Sequence, residues 1–438
     1  MSNCCKYTGE DVVEQILSTL PPKSLMRFKC VSKRWYALIT NPIFVAKHLS
    51  YSKHNSLTTS VLLKRLVCKD TKEAEDHEPE TVLSFVKFRN NIDDNGGKHA
   101  HEHNSYSGVE DVKFLPKTSS RWLHIVGHCD GIVCLAATHE VLLWNPAIQE
   151  SKPLSSEPYL QGYGFNYDAV AFGYDPCSKG YKVVKIGCHG DRWDDENYYI
   201  YHPPKAILYT HLGTDSDSWR EIETCSLETQ TTILWPEIFQ IYFKNVCYWT
   251  GQEQHKELHA FEAAEEKFIH DIIIFFDLVD EVFHDMFLPD CFYDRNEFFY
   301  GMRLLVWNES VSLFGLQNTR HLSCGIWVMD ELGGPKGAWT KHIAFELTEK
   351  PLVFLNNDQI LLADVEEDTI GHIISYNLST KKLNHLPIQT DLHINARPDD
   401  DYIAVLYVNS IVPVLGGNMI GSGHDISNVN FLTPFLIS

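Results

Sequence analysis

From about residue 122 to residue 412 the chain is written as short apolar runs broken by turn residues, and this rhythm restricts it to antiparallel β structure. Runs at 132–135 and 141–144 form a hairpin followed by Asn145-Pro146. A run at 170–174 leads through Asp175-Pro176 into 181–186. The runs 239–243 and 246–250 flank Lys244-Asn245, and 304–307 and 311–314 flank residues 308–310. Further strands are expected at 206–211, 325–329, 352–355, 359–363, 373–376 (with a turn at 377–380) and 402–408. The unit is strand, tight turn, strand, Asx-containing turn and an apolar closing strand. It returns about every 45–50 residues, within the range of propeller blades. The expectation is an all-β, β-propeller-type domain of about six blades over 122–412, with a sandwich or open barrel as the alternative. The aromatic content of 12% suits strands.

The first fifty residues follow a different period. Thr8-Gly9-Glu10-Asp11 fits a capping box. Val12, Val13, Ile16, Leu17 and Leu20 then recur at helical spacing. Pro21-Pro22 stops that helix. Ser24 is read as the cap of a second short helix with Leu25 and Phe28, and Ser32 as the cap of a third with Trp35, Leu38 and Ile39. Pro42 suits the first turn of a fourth segment bearing Phe44, Val45 and Leu49. Helices this short need tertiary or partner contacts. Their apolar side chains outnumber what about 45 residues can hide, which points to a docking face.

The two regions carry opposite charge. Residues 21–50 hold Lys23, Arg27, Lys29, Lys33, Arg34 and Lys47 with no acid, so this segment is +6. The whole chain is −21, which leaves −27 for the rest. Such a field disfavours nucleic acid and anionic membranes and favours a basic partner. A helix-turn-helix would need polar side chains on its recognition helix, whereas 33–39 is mostly apolar.

The string from Val12 to Trp35 (VVEQILSTLPPKSLMRFKCVSKRW) closely resembles a plant F-box. The resemblance implies a three-helix module over 8–50 that docks on the Skp1-type adaptor and, through it, cullin-1 of an SCF ubiquitin ligase. The positions it carries over as adaptor contacts are Leu20, Pro21, Leu25, Cys30, Val31 and Trp35. Many F-boxes open with Leu-Pro before the first helix, where this chain has Tyr7-Thr8-Gly9. A second set of motifs, His128-Cys129-Asp130-Gly131, Trp144-Asn145-Pro146 and Gly173-Tyr174-Asp175-Pro176, with 326–329 and 375–377, resembles the kelch-like plant F-box-associated domain. Among such proteins the strings at 23–30, 44–50 and 406–412 are similar to the S-locus F-box group of Rosaceae. That implies a pollen-side substrate-recognition subunit for non-self S-RNases, which are basic, in self-incompatibility. A general F-box receptor in stress or development is the main rival, and a non-ubiquitin propeller binding module or propeller enzyme is the third. The stretch 253–287 departs from the pattern as if about 15–20 residues were inserted.

Between the two regions, 51–121 is read as a linker with first strands, one of them near 81–88, and mobile loops. Residues 413–438 are read as a loose tail. The start has no secretory signal, no apolar run of about 18 residues is present, and no Gly follows Met1, so a cytoplasmic or nuclear protein without a membrane anchor is expected. The 12 cysteines are scattered, with no CxxC, and read as reduced thiols. No GxSxG, HExxH, EF-hand or P-loop is present. His99, His101 and His103 alternate, but a metal needs a fourth ligand and a frame. Acid pairs such as Asp194-Asp195 and Glu366-Glu367 read as solvated turns. The expectation is therefore no catalytic residue, no metal and no cofactor. Acidic residues in 191–196 and 262–285 are expected to help bind a target.

Overall fold

The computed structural model describes residues 9–54, 57–67, 80–92, 102–112, 124–137, 140–154, 167–188, 190–193, 198–211, 218–259, 268–293, 298–318, 322–330, 339–345, 349–363, 371–390 and 403–415.

Four helices come first: α1 (Gly9–Ser18), α2 (Pro22–Phe28), α3 (Lys33–Ile39) and α4 (Pro42–His54). Thr8, read as the first cap, lies outside the described residues. The double proline both ends α1 and starts α2: Pro22 takes the first helical turn, where its missing N–H costs nothing. Ser24 is therefore not a cap. Its N–H instead donates to the Pro21 carbonyl at 2.9 Å. Ser32 does cap α3, accepting the Trp35 N–H at 3.2 Å. The Asn41 side chain accepts the Ile43 N–H at 2.8 Å ahead of Pro42.

The remaining strands build six four-stranded antiparallel sheets. Blade 2 is His124–Cys129, Ile132–Ala137, Glu140–Asn145 and Glu150–Pro153. Blade 3 is Tyr167–Asp175, Gly180–Cys188, Lys205–His211 and Trp219–Ile222. Blade 4 is Thr232–Phe243, Val246–His255, Phe268–Asp277 and Val282–Phe287. Blade 5 is Phe298–Trp307, Ser310–Asn318, Leu322–Met329 and Trp339–Phe345, and blade 6 is Lys350–Phe354, Gln359–Ala363, Gly371–Asn377 and Lys382–Thr390. Blade 1 closes the ring, because Ile403–Tyr407 pairs with Thr58–Val67, which is followed by Glu80–Ile92 and Glu102–Asp111. Three of its four strands thus come from 51–121, the span read as a linker with first strands. The third, Glu102–Asp111, is mostly polar, with Tyr106 packed against the core, and it is pairing with Glu80–Ile92 that makes it a strand. Of the alternating histidines, only the His103 backbone lies within the described residues.

Two turn designs repeat. Two-residue hairpins place both residues at positive φ: Asp130-Gly131, Lys244-Asn245 and Asn308-Glu309. Four-residue turns open on an Asx residue and end at positive φ, at Gln149, Lys179, Glu281 and Lys381. Asn145, Asp175, Asp277 and Asn377 each accept a backbone N–H from inside their own turn, at 2.7 to 3.0 Å. The Asx residues singled out in the sequence therefore set the blade corners. Between blades the sheets pack face to face. Val184 and Leu208 of blade 3, for example, share a cluster with Trp249, Ile274 and Phe276 of blade 4, all fully buried. Each such side chain contributes about 1.5–3 kcal/mol.

The helices and the propeller share one core. Leu17, Leu25, Ile39, Phe44, Val45 and Leu49 pack in the cluster that holds Ile132 and Leu143 of blade 2, Phe172 and Val183 of blade 3, and Ile411, Val412 and Val414. Residues 408–415 run between the two parts. Asn145 Nδ2 donates to the carbonyls of Ser410 (3.2 Å) and Val412 (2.8 Å), and the Glu150 carboxylate accepts the Val414 N–H at 2.9 Å. The first residues of the expected tail are thus docked, with Val414 fully buried. Residues 416–438 lie outside the described residues.

Gly131 makes this passage feasible. At φ 84 a Cβ there would meet Ser410 Oγ and would lie 2.6 Å from the Val408 carbonyl oxygen. Gly131→Ala is expected to lose about 2–3 kcal/mol from overpacking and left-handed strain together. Chemical denaturation should read this loss, with proteolysis between the helices and the propeller increasing.

Candidate functional site

The helical module hides one face and leaves another open. Of the six positions expected to touch an adaptor, Leu25 is fully buried in the shared core. Leu20 and Trp35 are half-buried against that core, Trp35 meeting Phe28 edge to face at 5.2 Å. Pro21, Cys30 and Val31 are exposed, Val31 to 62%. They lie at the α1–α2 and α2–α3 junctions, where the chain must turn and its side chains cannot all point inward. Other exposed apolar side chains, not among the six expected adaptor contacts, are Val12 and Ile16 on α1, Tyr36 on α3 and Ile43 at the start of α4. Val12 and Ile16 are one helical turn apart, and that i, i+4 spacing was a signal available in the sequence. Ile43, at 78%, gave none, because only the packing of α4 shows which way it faces.

Around this face the charge is positive: Lys23, Arg27 and Lys33 are exposed. The module is anchored by an ion pair from α4, Lys53 Nζ to Asp130 Oδ1 at 2.6 Å. Asp130 Oδ2 also accepts the Tyr181 hydroxyl at 3.1 Å. The chain thus docks its helices on the tight-turn end of the propeller, since Asp130-Gly131 and the Asn145 turn lie together there around Ser410. In an up-and-down blade the connections between second and third strands leave from the opposite end. In blades 3 and 4 those connections carry an added three-stranded sheet: Gly190–Trp193, Tyr198–Tyr201 and Glu257–His259. Of the 253–287 departure, Glu257–His259 lies in this sheet, while Phe268–Asp277 and Val282–Phe287 are strands of blade 4. Within it, Asp277 opens the turn between the last two strands of blade 4.

His48 of α4 is buried, its Nε2 3.0 Å from the Leu20 carbonyl and its Nδ1 without a described partner. Nε2 must carry a proton, which it donates to that carbonyl. Burial lowers its pKa, and the carbonyl only partly opposes this. Half-buried His128 is pushed down to about 4 by desolvation, against the attraction of Asp130. Both rings take up a proton in the unfolded chain near its ordinary pKa of about 6.5, before they do so when folded. The unfolded state then binds more protons, so the contribution of neutral histidine to stability is full above that pH and falls away as the pH drops toward about 4. Melting midpoints are expected to decline over that window, and His128→Gln should flatten the slope. Among the described residues no three His, Cys, Asp or Glu side chains group as metal ligands, and no helix is long and apolar enough to cross a membrane.

Comparison with known proteins agrees with this layout. Residues 10–47 match the F-box domain, and residues 86–414 match the F-box associated beta propeller domain. A provisionally named F-box protein of Arabidopsis thaliana is 24% identical, the match covering 92% of this chain and 98% of the relative. An F-box/kelch-repeat protein of the same plant is 28% identical over 40% of this chain and 44% of its own length. Among solved structures the chain is similar to TolB from Acinetobacter baumannii (TM-score 0.38, 10% identity, 80% of this chain and 71% of that one). It is also similar to AztD from Citrobacter koseri (TM-score 0.36, 12% identity, 81% and 100%).

Proposed function

The chain belongs to the F-box proteins that carry an F-box associated beta propeller domain, and on that premise we propose that it is the substrate-recognition subunit of an SCF-type ubiquitin ligase. The observation that carries this reading is the open apolar face of a helical module whose other face is already used by the propeller. Such a face, rimmed by Lys23, Arg27 and Lys33, suits a Skp1-type adaptor that would connect it to cullin-1. The protein would do no chemistry itself. It would hold a target protein near the ligase's charged E2 and so raise the effective concentration of the target's lysines. Because helices and propeller share a core, a target held by the propeller would be placed relative to the adaptor.

Two finer readings differ in the target. The pollen-side S-locus role, with basic S-RNases as targets, is supported by the resemblance of residues 23–30, 44–50 and 406–412 and by the −21 net charge. A general receptor in stress or development is favoured by the relatives, which are F-box proteins of Arabidopsis thaliana. The test is co-purification of the full chain with a Skp1-type adaptor and cullin-1, then with a panel of S-RNases. Capture of both ligase subunits supports the receptor reading. A folded chain that captures neither sinks it. Receptor activity with no S-RNase bound leaves the general role standing.

A further inference from the structure

The end of the propeller away from the helices has one corner unlike the rest. At the outer edge of blade 4, His270, Phe287 and Tyr293 form an aromatic trio, with ring centroids 5.5 to 6.2 Å apart and planes near perpendicular. Phe287 closes the edge strand Val282–Phe287 and is 44% exposed, a large ring left in water. Glu253 is paired with His270 across the sheet, and Asp285 stands two residues before Phe287, so all four side chains share one face. Asp271 is half-buried next to them, its own backbone carbonyl accepting the Tyr293 hydroxyl at 2.7 Å. Among the described residues no lysine or arginine pairs with Glu253, Asp271 or Asp285. Each of these contrasts with Glu281 in the same blade, which pairs with both Lys182 and Arg220. Burial and the charge of Glu253 together raise the Asp285 pKa, with His284 only partly opposing them.

We propose that this corner is where the target docks, and that it takes an extended segment carrying arginine or lysine beside an apolar side chain. The proposal rests on the receptor reading and deepens it. The chemistry is complementary on both counts: the carboxylates supply the missing counter-charge, and the rings offer apolar contact and a negative π-face to a cation. A second copy of this chain is a poor occupant, since it would bring the same net charge of −21. The position also fits, because this corner adjoins the sheet of Glu257–His259 and lies at the opposite end of the propeller from the docked helices.

The test uses the full chain and two fluorescent octapeptides, one alternating arginine and leucine, the other arginine and serine, read by anisotropy. The wild type should prefer the leucine peptide. Glu253→Lys/Asp285→Lys should weaken its binding by about tenfold or more. Phe287→Ser should erase the preference between peptides. Glu221→Lys/Glu223→Lys, an equal charge change at exposed sites on blade 3, should leave binding within about twofold. If the blade 3 pair weakens binding as much as the blade 4 pair, the general field is responsible and the proposal is overturned. Persistence of the preference in Phe287→Ser overturns it equally. Adaptor capture by the same variants separates the two ideas. Capture lost in the wild type removes the receptor reading, whereas capture retained with an inert corner removes only this site.

Discussion

Val31→Asp is expected to abolish adaptor capture by the full chain while leaving its melting midpoint within about 2 °C of the parent. Val31 is largely exposed between α2 and α3 and packs against nothing that its loss would unsettle. A carboxylate there would be buried without a partner on docking. Interface anchors of this kind cost about 2–4 kcal/mol when removed, a loss of about 30- to 1000-fold in affinity. Pull-down with a Skp1-type adaptor, beside a thermal melt of the same preparation, reads both halves of the prediction. Leu25→Asp is the instructive contrast. It would also end capture, but by placing a charge in the core shared with blades 2 and 3, and the melt should collapse with it. Val31→Asp with undiminished capture would remove this face from the docking surface.

Lys182→Met is expected to destabilise the propeller by about 3–5 kcal/mol. The Lys182 ammonium is buried between blades 3 and 4. It bonds Asp175 Oδ2 at 2.7 Å, Glu281 Oε1 at 2.8 Å and the Leu278 carbonyl at 2.6 Å. Removing it leaves the buried Asp175 carboxylate facing Glu281 with donors from Cys177 and Ser178 alone. Hydrogen bonds and the ammonium charge hold the carboxyls of Asp175 and Glu281 below their ordinary pKa, against burial. Their contribution is therefore present above the ordinary carboxylate range and is lost as the pH falls through the lowered folded values. Urea unfolding of parent and variant at neutral pH should show the full gap, and the gap should narrow on acidification. Equal stability at neutral pH would mean that the cluster contributes nothing net.

Sequence reading found most of the propeller for a local reason. Tight turns need residues that tolerate positive φ or that can bond their own backbone, so Asn145, Asp175, Lys244-Asn245 and Asn377 marked the corners between the apolar runs. The strands between them are buried on both faces, which made them legible as apolar runs. Blade 1 was harder to see. Its edge strand, Glu102–Asp111, has little apolar content and gains its form from a neighbour, and its closing strand comes from 403–407, far away in the chain. The helix starts behaved similarly: Ser32 capped as read, whereas the rigid ring of Pro22 overrode Ser24.

The candidate docking face was legible by position and only partly by residue. A heptad-like spacing cannot say which apolar side chains of a small module turn toward a second domain, because that depends on where the second domain sits. Leu25 and Val31 are both apolar and six positions apart, and the tertiary structure sends one to the core and the other to solvent. By itself the sequence determined the two-part layout, the opposite charges of the parts, the antiparallel blades and their corners, since each follows from interactions within a few residues. The closure of the ring, the seating of 408–415 beneath the helices, the buried ion cluster at Lys182 and the aromatic–acidic corner of blade 4 were decided only by tertiary structure. Each brings together side chains from strands that have no local signal for one another, and burial then selects which charges find partners and which are left facing solvent.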